Sequence, residues 1–251
     1  MEEAKKIGLY HMAVDTFDVD FSGHLNLYKL GNQVMNCACF HANERGFGMS
    51  RLHENGCTWV LSRLVLEFDE LPRDGQHFSI ATWVEAVMRL FTMRNFEIKD
   101  QLDNVIGYGR SIWAMIDLQT RKPLDLLSIN DGTLPDWISD KPCPIEPPSR
   151  IKVTSKEPVD VISVRFSDID INGHLNSMRY VEHLLNLFSL DFYRQHRVRR
   201  FEIVYIAECL YGDRIAFFRD DDGQGTCQIE MRNADTNEII CRSKIFFEEI
   251  N

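Results

Sequence analysis

No stretch of this chain stays apolar for the roughly 20 residues that a bilayer-crossing helix needs. The amino-terminal MEEAKKIGLYHM also lacks the apolar segment of a signal peptide. Both absences lead us to expect a soluble, cytoplasmic protein. Nor is there an excess of positive charge: 28 Lys and Arg stand against 38 Asp and Glu, a formal net charge of -10. That balance opposes bulk attraction to nucleic acid or to an anionic membrane, so small-molecule or protein partners are expected, with no nucleic acid and no membrane among them. The seven cysteines, at 37, 39, 57, 143, 209, 227 and 241, are odd in number and contain no C-x-x-C pair. A disulfide framework is thereby disfavoured, and free thiols are expected.

Proline is scarce as well, and six of the eight lie between Pro135 and Pro158. Such a segment favours an extended connector over helix or central strand. It separates a first repeat (1–134) from a second (159–251), with 135–158 as linker. The halves read alike, each as a motif, a one-faced helix and then a set of strands. Helix signals are Leu27, Leu30, Val34 and Ala38 in the first copy and Val181, Leu184, Leu185, Phe188 and Phe192 in the second. Strand signals include TWVLSRLVLEF, HFSIATWVEAV and GYGRSIWAMIDL, then RFEIVYIAEC, TCQIEMRN and IICRSKIFFEEI. One helix with four or five strands per half predicts an α+β fold, an antiparallel sheet wrapped around a long helix, built twice.

The duplicated motif is FDVDFSGHLNLYK, from Phe17, and FSDIDINGHLNSMRY, from Phe166. Its second copy opens like a calcium loop, but the twelfth position, where an EF-hand needs a bidentate Glu, holds Arg179, and Lys29 in the first copy. The residues before each copy also read as strand, so a metal role is rejected. A turn with a helix cap explains Asp, Asn and Gly but does not require His24 and His174. In an extended run Asp170, Asn172 and His174 would share one face, and a turn leading into a helix can direct backbone N–H groups at a developing oxyanion.

The run Asp170-Ile171-Asn172-Gly173-His174-Leu175-Asn176 with Arg179-Tyr180, together with the pair Glu208-Cys209, resembles the acyl-acyl carrier protein thioesterases of plants and bacteria. The resemblance covers nearly the whole chain. It implies two tandem hot-dog repeats, a pseudo-dimer in one chain, that hydrolyse the thioester between a fatty acyl group and the phosphopantetheine arm of acyl carrier protein in fatty acid biosynthesis. No cofactor or metal is implied, since phosphopantetheine enters with the substrate. Carried over residue by residue, the catalytic set is Asp170, Asn172, His174 and Glu208, with Cys209 beside it as participant or bystander. The first copy departs from the pattern, with Ser22 in the place of Asn172, which implies one active site per chain and an acyl-holding role for the first repeat.

In the preferred mechanism Asn172 and His174 donate hydrogen bonds around the reacting carbonyl and water, Asp170 orients the histidine, and Glu208 is the general base, tuned by its apolar strand. The rival makes Cys209 the nucleophile and His174 its base. Neighbouring strand residues face opposite ways, so only one of Glu208 and Cys209 is expected to be essential. Tunnel candidates are Met35, Cys39, Phe40, Trp59, Trp83 and Phe91. The run YRQHRVRR, with Arg194, Arg197, Arg199 and Arg200, is a candidate docking face for an acidic carrier, or else a solvated helix end. An acyl-CoA thioesterase and a non-catalytic acyl-thioester-binding module remain as alternatives, and the chain could serve as a monomer or a homodimer.

Overall fold

The computed structural model describes residues 6–250; residues 1–5, part of the segment judged to lack a signal peptide, lie outside the described residues. The chain divides into two compact units, one of residues 1–62 and 68–146, the other of 63–67 and 147–251. Among the described residues no helix is long and apolar enough to cross a membrane, and no group of three or more His, Cys, Asp or Glu is placed to hold a metal ion.

The first unit contains β1 (Ile7–Ala13), α1 (Leu27–Glu44), α2 (Met49–Glu54), β2 (Cys57–Phe68), β3 (His77–Val87), β4 (Thr92–Asp100) and β5 (Val105–Asp117). Strand order is β1-β3-β4-β5-β2, and β1–β3, β3–β4 and β4–β5 are antiparallel. α1 buries Leu27, Leu30, Val34, Cys37, Ala38 and His41. That is the i, i+3, i+4, i+7 stripe of a helix laid on a sheet, and α1 touches β3. β3 is buried without interruption from Phe78 to Val84. A second cluster joins Phe47, Leu52, Cys57, Met115, Leu126 and Leu134. Leu134 belongs to a 3-10 turn, Leu134–Trp137, so the proline-rich segment begins with packed structure where a wholly extended connector was expected.

The second unit contains β6 (Asp160–Ser163), α3 (Ser177–Leu185), α4 (Leu190–Tyr193), β7 (His196–Tyr205), β8 (Arg214–Asp221), β9 (Thr226–Asn233) and β10 (Ile239–Glu249). Its strand order is β7-β10-β9-β8-β6, and Arg63–Glu67 of β2, which belong to this unit, pair antiparallel with β7. Three expectations are corrected here. The helix does not run to Phe192: it stops at Leu185, and Phe188 and Phe192 leave its stripe to stack with Tyr193 and Phe247. β7 ends at Tyr205, so Glu208 and Cys209 follow the strand instead of lying in it. YRQHRVRR is a helix end only in Tyr193 and Arg194, which close α4, because residues 196–200 open β7.

Candidate active site

Each repeat carries the same turn between a short 3-10 segment and its helix. In the second, the Asp170 carboxylate accepts the backbone N–H groups of Asn172 (2.8 Å) and His174 (3.3 Å). The Asp170 amide donates to the His174 carbonyl at 2.8 Å, and Gly173 donates to the Asp170 carbonyl at 3.0 Å. Gly173 sits at φ +82°, a conformation that any side chain would strain. Asn176 closes the motif by capping α3, its side chain accepting from Met178 N. Residues 170–174 therefore form a turn, not the extended run from which a shared face was inferred. Asp170 acts on the backbone of His174, where the sequence reading had it steer the ring.

This turn consumes its own donors. The amides of Asn172, Gly173 and His174 go to Asp170, Leu175 N donates to the Cys209 carbonyl, Asn176 N to the Asp168 carbonyl and Met178 N to Asn176. Those amides are thus engaged within the fold, and the Asn172 and His174 side chains add donors that the turn does not consume. The Asn172 carboxamide is exposed and makes no hydrogen bond among the described residues. Next to it His174 directs Nε2 at Glu208 Oε2, 3.4 Å away. That separation exceeds a direct hydrogen bond of about 2.9 Å, as catalytic pairs often do before substrate binds.

His174 and Glu208 therefore meet at the surface of the second unit, and Asn172 is exposed two residues before His174 on the turn. Glu208 keeps 45% of its side chain exposed and lies beyond the end of β7, where a carboxylate embedded in an apolar strand was expected. Cys209 points the other way: it is 1% exposed, and its thiol faces the Tyr180 hydroxyl on α3, while burial pushes the thiol up to about 11. A nucleophilic cysteine needs the opposite environment, exposed and electropositive.

The first repeat retains more of the site than its motif suggests. Asp20 accepts from Ser22 N (2.8 Å) and His24 N (3.3 Å), and His24 Nε2 lies 3.4 Å from Glu70 Oε1. Sequence reasoning missed Glu70 because the carboxylate comes from a different register. The bridges His24–Arg73 and His174–Leu210 align Glu208 with Leu71, one residue beyond Glu70. Two further differences set this copy apart from the second. The Ser22 hydroxyl is tied up, donating to Asp20 Oδ1 at 2.6 Å and lying 2.8 Å from His24 Nδ1. Arg73 Nη2 donates to Glu70 Oε1 at 2.9 Å, and that hydrogen bond holds the Glu70 carboxyl below its ordinary range.

The cations that argued against calcium at the twelfth position form ion pairs: Lys29 with Asp18 at 2.7 Å, and Arg179 with Glu182. The candidate docking arginines are paired too. Arg194 meets Asp191 at 2.6 Å, Arg197 meets Glu248 at 2.8 Å with Arg199 at 3.4 Å from the same carboxylate, and Arg200 meets Glu202 at 2.7 Å. The run is largely self-neutralised, which the carboxylates of distant strands hid from a local reading.

A cavity of about 60 Å3, open to solvent at its mouth, lies in the first unit. Of the six tunnel candidates only Cys39 and Trp59 line it, joined by Trp113 and Trp137. Trp83 is instead fully buried, with its N–H donated to the Lys141 carbonyl, and Phe40 is half exposed beside Tyr10.

Comparison with known proteins agrees with this architecture. Residues 9–129 match the model of the acyl-ACP thioesterase N-terminal domain, and residues 151–249 that of the C-terminal domain. A crystal structure of an acyl-ACP thioesterase from Bacteroides thetaiotaomicron superposes with a TM-score of 0.93 at 50% identity, covering 99% of this chain and all of that one. The 12:0-ACP thioesterase of Umbellularia californica shares the fold, with a TM-score of 0.83 at 15% identity over 98% of each chain. Oleoyl-acyl carrier protein thioesterase 1 of Arabidopsis thaliana is 25% identical over 224 residues, 80% of this chain. The chain spans about 60% of the length of that relative. Both units are hot-dog repeats, and the chain belongs to the acyl-ACP thioesterase family.

Proposed function

We propose that the chain hydrolyses fatty acyl-acyl carrier protein thioesters in fatty acid biosynthesis, releasing the free acid and holo-acyl carrier protein, with Asn172, His174 and Glu208 as the reacting set. The observation that carries this reading is the meeting of the His174 imidazole with the exposed Glu208 carboxylate at 3.4 Å, with the unengaged Asn172 carboxamide two residues from His174 on the same turn. Glu208 takes a proton from water as the water oxygen bonds to the thioester carbon. The Asn172 Nδ2–H and the His174 ring N–H donate to the carbonyl oxygen as it gains charge. Collapse breaks the C–S bond, and the proton passes from Glu208 to the departing sulfur. No redox change occurs. Asp170 is a positioning residue that fixes the turn, and Cys209 is a packing residue.

Names of relatives support the carrier: the Arabidopsis protein is an oleoyl-acyl carrier protein thioesterase and the Bacteroides structure an acyl-ACP thioesterase. The test is thiol release from a panel of acyl carrier protein and CoA thioesters, with His174→Ala as control. Release favouring the protein-borne substrates is expected. A preference for CoA substrates reassigns the carrier, and no release from any substrate replaces hydrolysis by a binding role.

A further inference from the structure

The cavity of the first unit has an apolar wall with a charge set into it. Arg94 projects from β4 into the lining formed with Ala38, Phe47, Trp59, Val84 and Trp113, and it is 8% exposed. Its Nη1 donates to Thr82 Oγ1 and to His41 Nδ1, each at 3.1 Å. Its Nε and Nη2 make no hydrogen bond among the described residues, and no carboxylate pairs with it. His41 cannot provide an anion. Its Nε2 faces the Lys6 carbonyl at 3.0 Å, and burial with the neighbouring Arg94 and Arg45 pushes its ring down to about 3, so it is neutral. Burial, then Arg45, lowers the Arg94 guanidinium only to about 10, which leaves it charged at neutral pH.

A buried cation is ordinarily paired, because desolvation without a partner is costly. A plain hydrocarbon chain in this cavity would remove the last water from Arg94 and give nothing back. We infer that the cavity is built for an oxygenated acyl chain, one carrying a hydroxyl or carboxylate oxygen in the part it lodges there, with Arg94 as the residue that recognises that oxygen. This rests on the reading of the chain as an acyl-thioester enzyme. Three of the cavity's lining residues, Trp59, Trp113 and Trp137, give it a built-in fluorescent reporter.

The experiment uses non-hydrolysable amide analogues of acyl-pantetheine over a series of chain lengths, each as the plain alkyl, terminal-hydroxyl and terminal-carboxyl form. Binding is read by tryptophan quenching in the full chain and in Arg94→Met. At its best length an oxygen-bearing analogue is expected to bind about tenfold tighter than the alkyl one, the size of one charge-assisted hydrogen bond. Arg94→Met should erase that ratio. Which oxygen wins identifies the group recognised. Equal binding of all three forms at every length, a preference that survives in Arg94→Met, or no quenching by any analogue overturns the inference. Should Arg94→Met fail to fold, Arg94→Lys, which keeps the charge and loses the fork, must lower the ratio, and an unchanged ratio refutes. Thiol release from unmodified acyl carrier protein thioesters is measured in parallel. Hydrolysis without oxygen preference sinks only this inference, whereas its absence sinks the hydrolase reading and leaves the binding result intact.

Discussion

The strongest test of the site is Glu208→Gln, because structure and chemistry predict effects of very different size. The substitution keeps shape and removes basicity. Losing a positioned general base costs about 10²–10⁴ in rate, or roughly 3–5.5 kcal/mol of barrier. Stability should barely move. The side chain is 45% exposed and its contact with His174 is 3.4 Å long, an arrangement worth about 0–1 kcal/mol, hence a melting shift of no more than about 4 °C in a chain of this size.

Steady-state thiol release gives kcat and KM separately, and differential scanning calorimetry gives Tm. We expect kcat to fall at least about a hundredfold with KM near its original value, the pattern of an interaction made in the transition state. Turnover within about threefold of the parent, or a loss confined to KM, would falsify the assignment of Glu208 as base. Asn172→Ala supplies an independent reading. Loss of a side-chain oxyanion donor should lower kcat about 10²–10³, and Asn172→Asp should not rescue it, because a carboxylate accepts where the site must donate.

Cys209→Ser should keep kcat within a few-fold while lowering Tm by a few degrees, since a hydroxyl replaces a thiol that is 1% exposed; abolished turnover with an intact melt would restore the nucleophile. Arg73→Leu removes the partner that depresses the Glu70 carboxyl. A depressed carboxyl stabilises the fold above its unfolded pKa and stops doing so as pH falls through its folded value. The variant's Tm deficit, about 1–2 °C for an exposed pair, should therefore exist at pH 7 and vanish in acid, and a deficit that grows on acidification contradicts the assignment. Arg200→Met strands Glu202, which is 1% exposed and otherwise held by Ser149 N and Oγ at 2.7 and 2.8 Å. A loss of about 2–4 kcal/mol in urea unfolding is expected, and a neutral result would show that Ser149 alone satisfies the carboxylate.

Repetition made the architecture legible in the sequence. Two motifs 150 residues apart, each followed by an amphipathic stripe and alternating strands, are a long-range signal that needs no knowledge of contacts. Local features decided by tertiary partners were not legible. β8 (RIAFFRDD) follows a turn and pairs with β9 and β6, and no periodicity of its own announced it. Glu208 sits beyond its strand because β7 ends at Tyr205, a boundary that pattern reading places poorly. The arginine run looked cationic because Glu248 lies some fifty residues away in sequence. Arg94 attracted no notice, since one arginine in NFEIKDQLDN's strand is unremarkable until the absence of a carboxylate partner among the described residues is seen.

Why should both turns survive when the chemistry is read in only one? Asp20 and Asp170 collect the same two backbone amides, Gly23 and Gly173 adopt φ +78° and +82°, and both histidines bridge the facing strand segment. These are backbone duties, and each repeat needs them to pass from 3-10 segment into helix. What separates the copies is carried by side chains outside those backbone duties: Ser22 for Asn172, Leu71 for Glu208 and Arg73 for Leu210. An exposed carboxamide and an exposed carboxylate can be exchanged at little cost to stability, because surface substitutions away from caps and cores rarely exceed about 0.5 kcal/mol. The fold's demands therefore account for the aspartate, glycine and histidine in both repeats and leave the other three positions to function. A pattern search keyed to the aspartate and histidine finds two sites in this chain. The unengaged Asn172 carboxamide, and a carboxylate register without an arginine in the place of Arg73, distinguish the copy proposed to turn water onto a thioester.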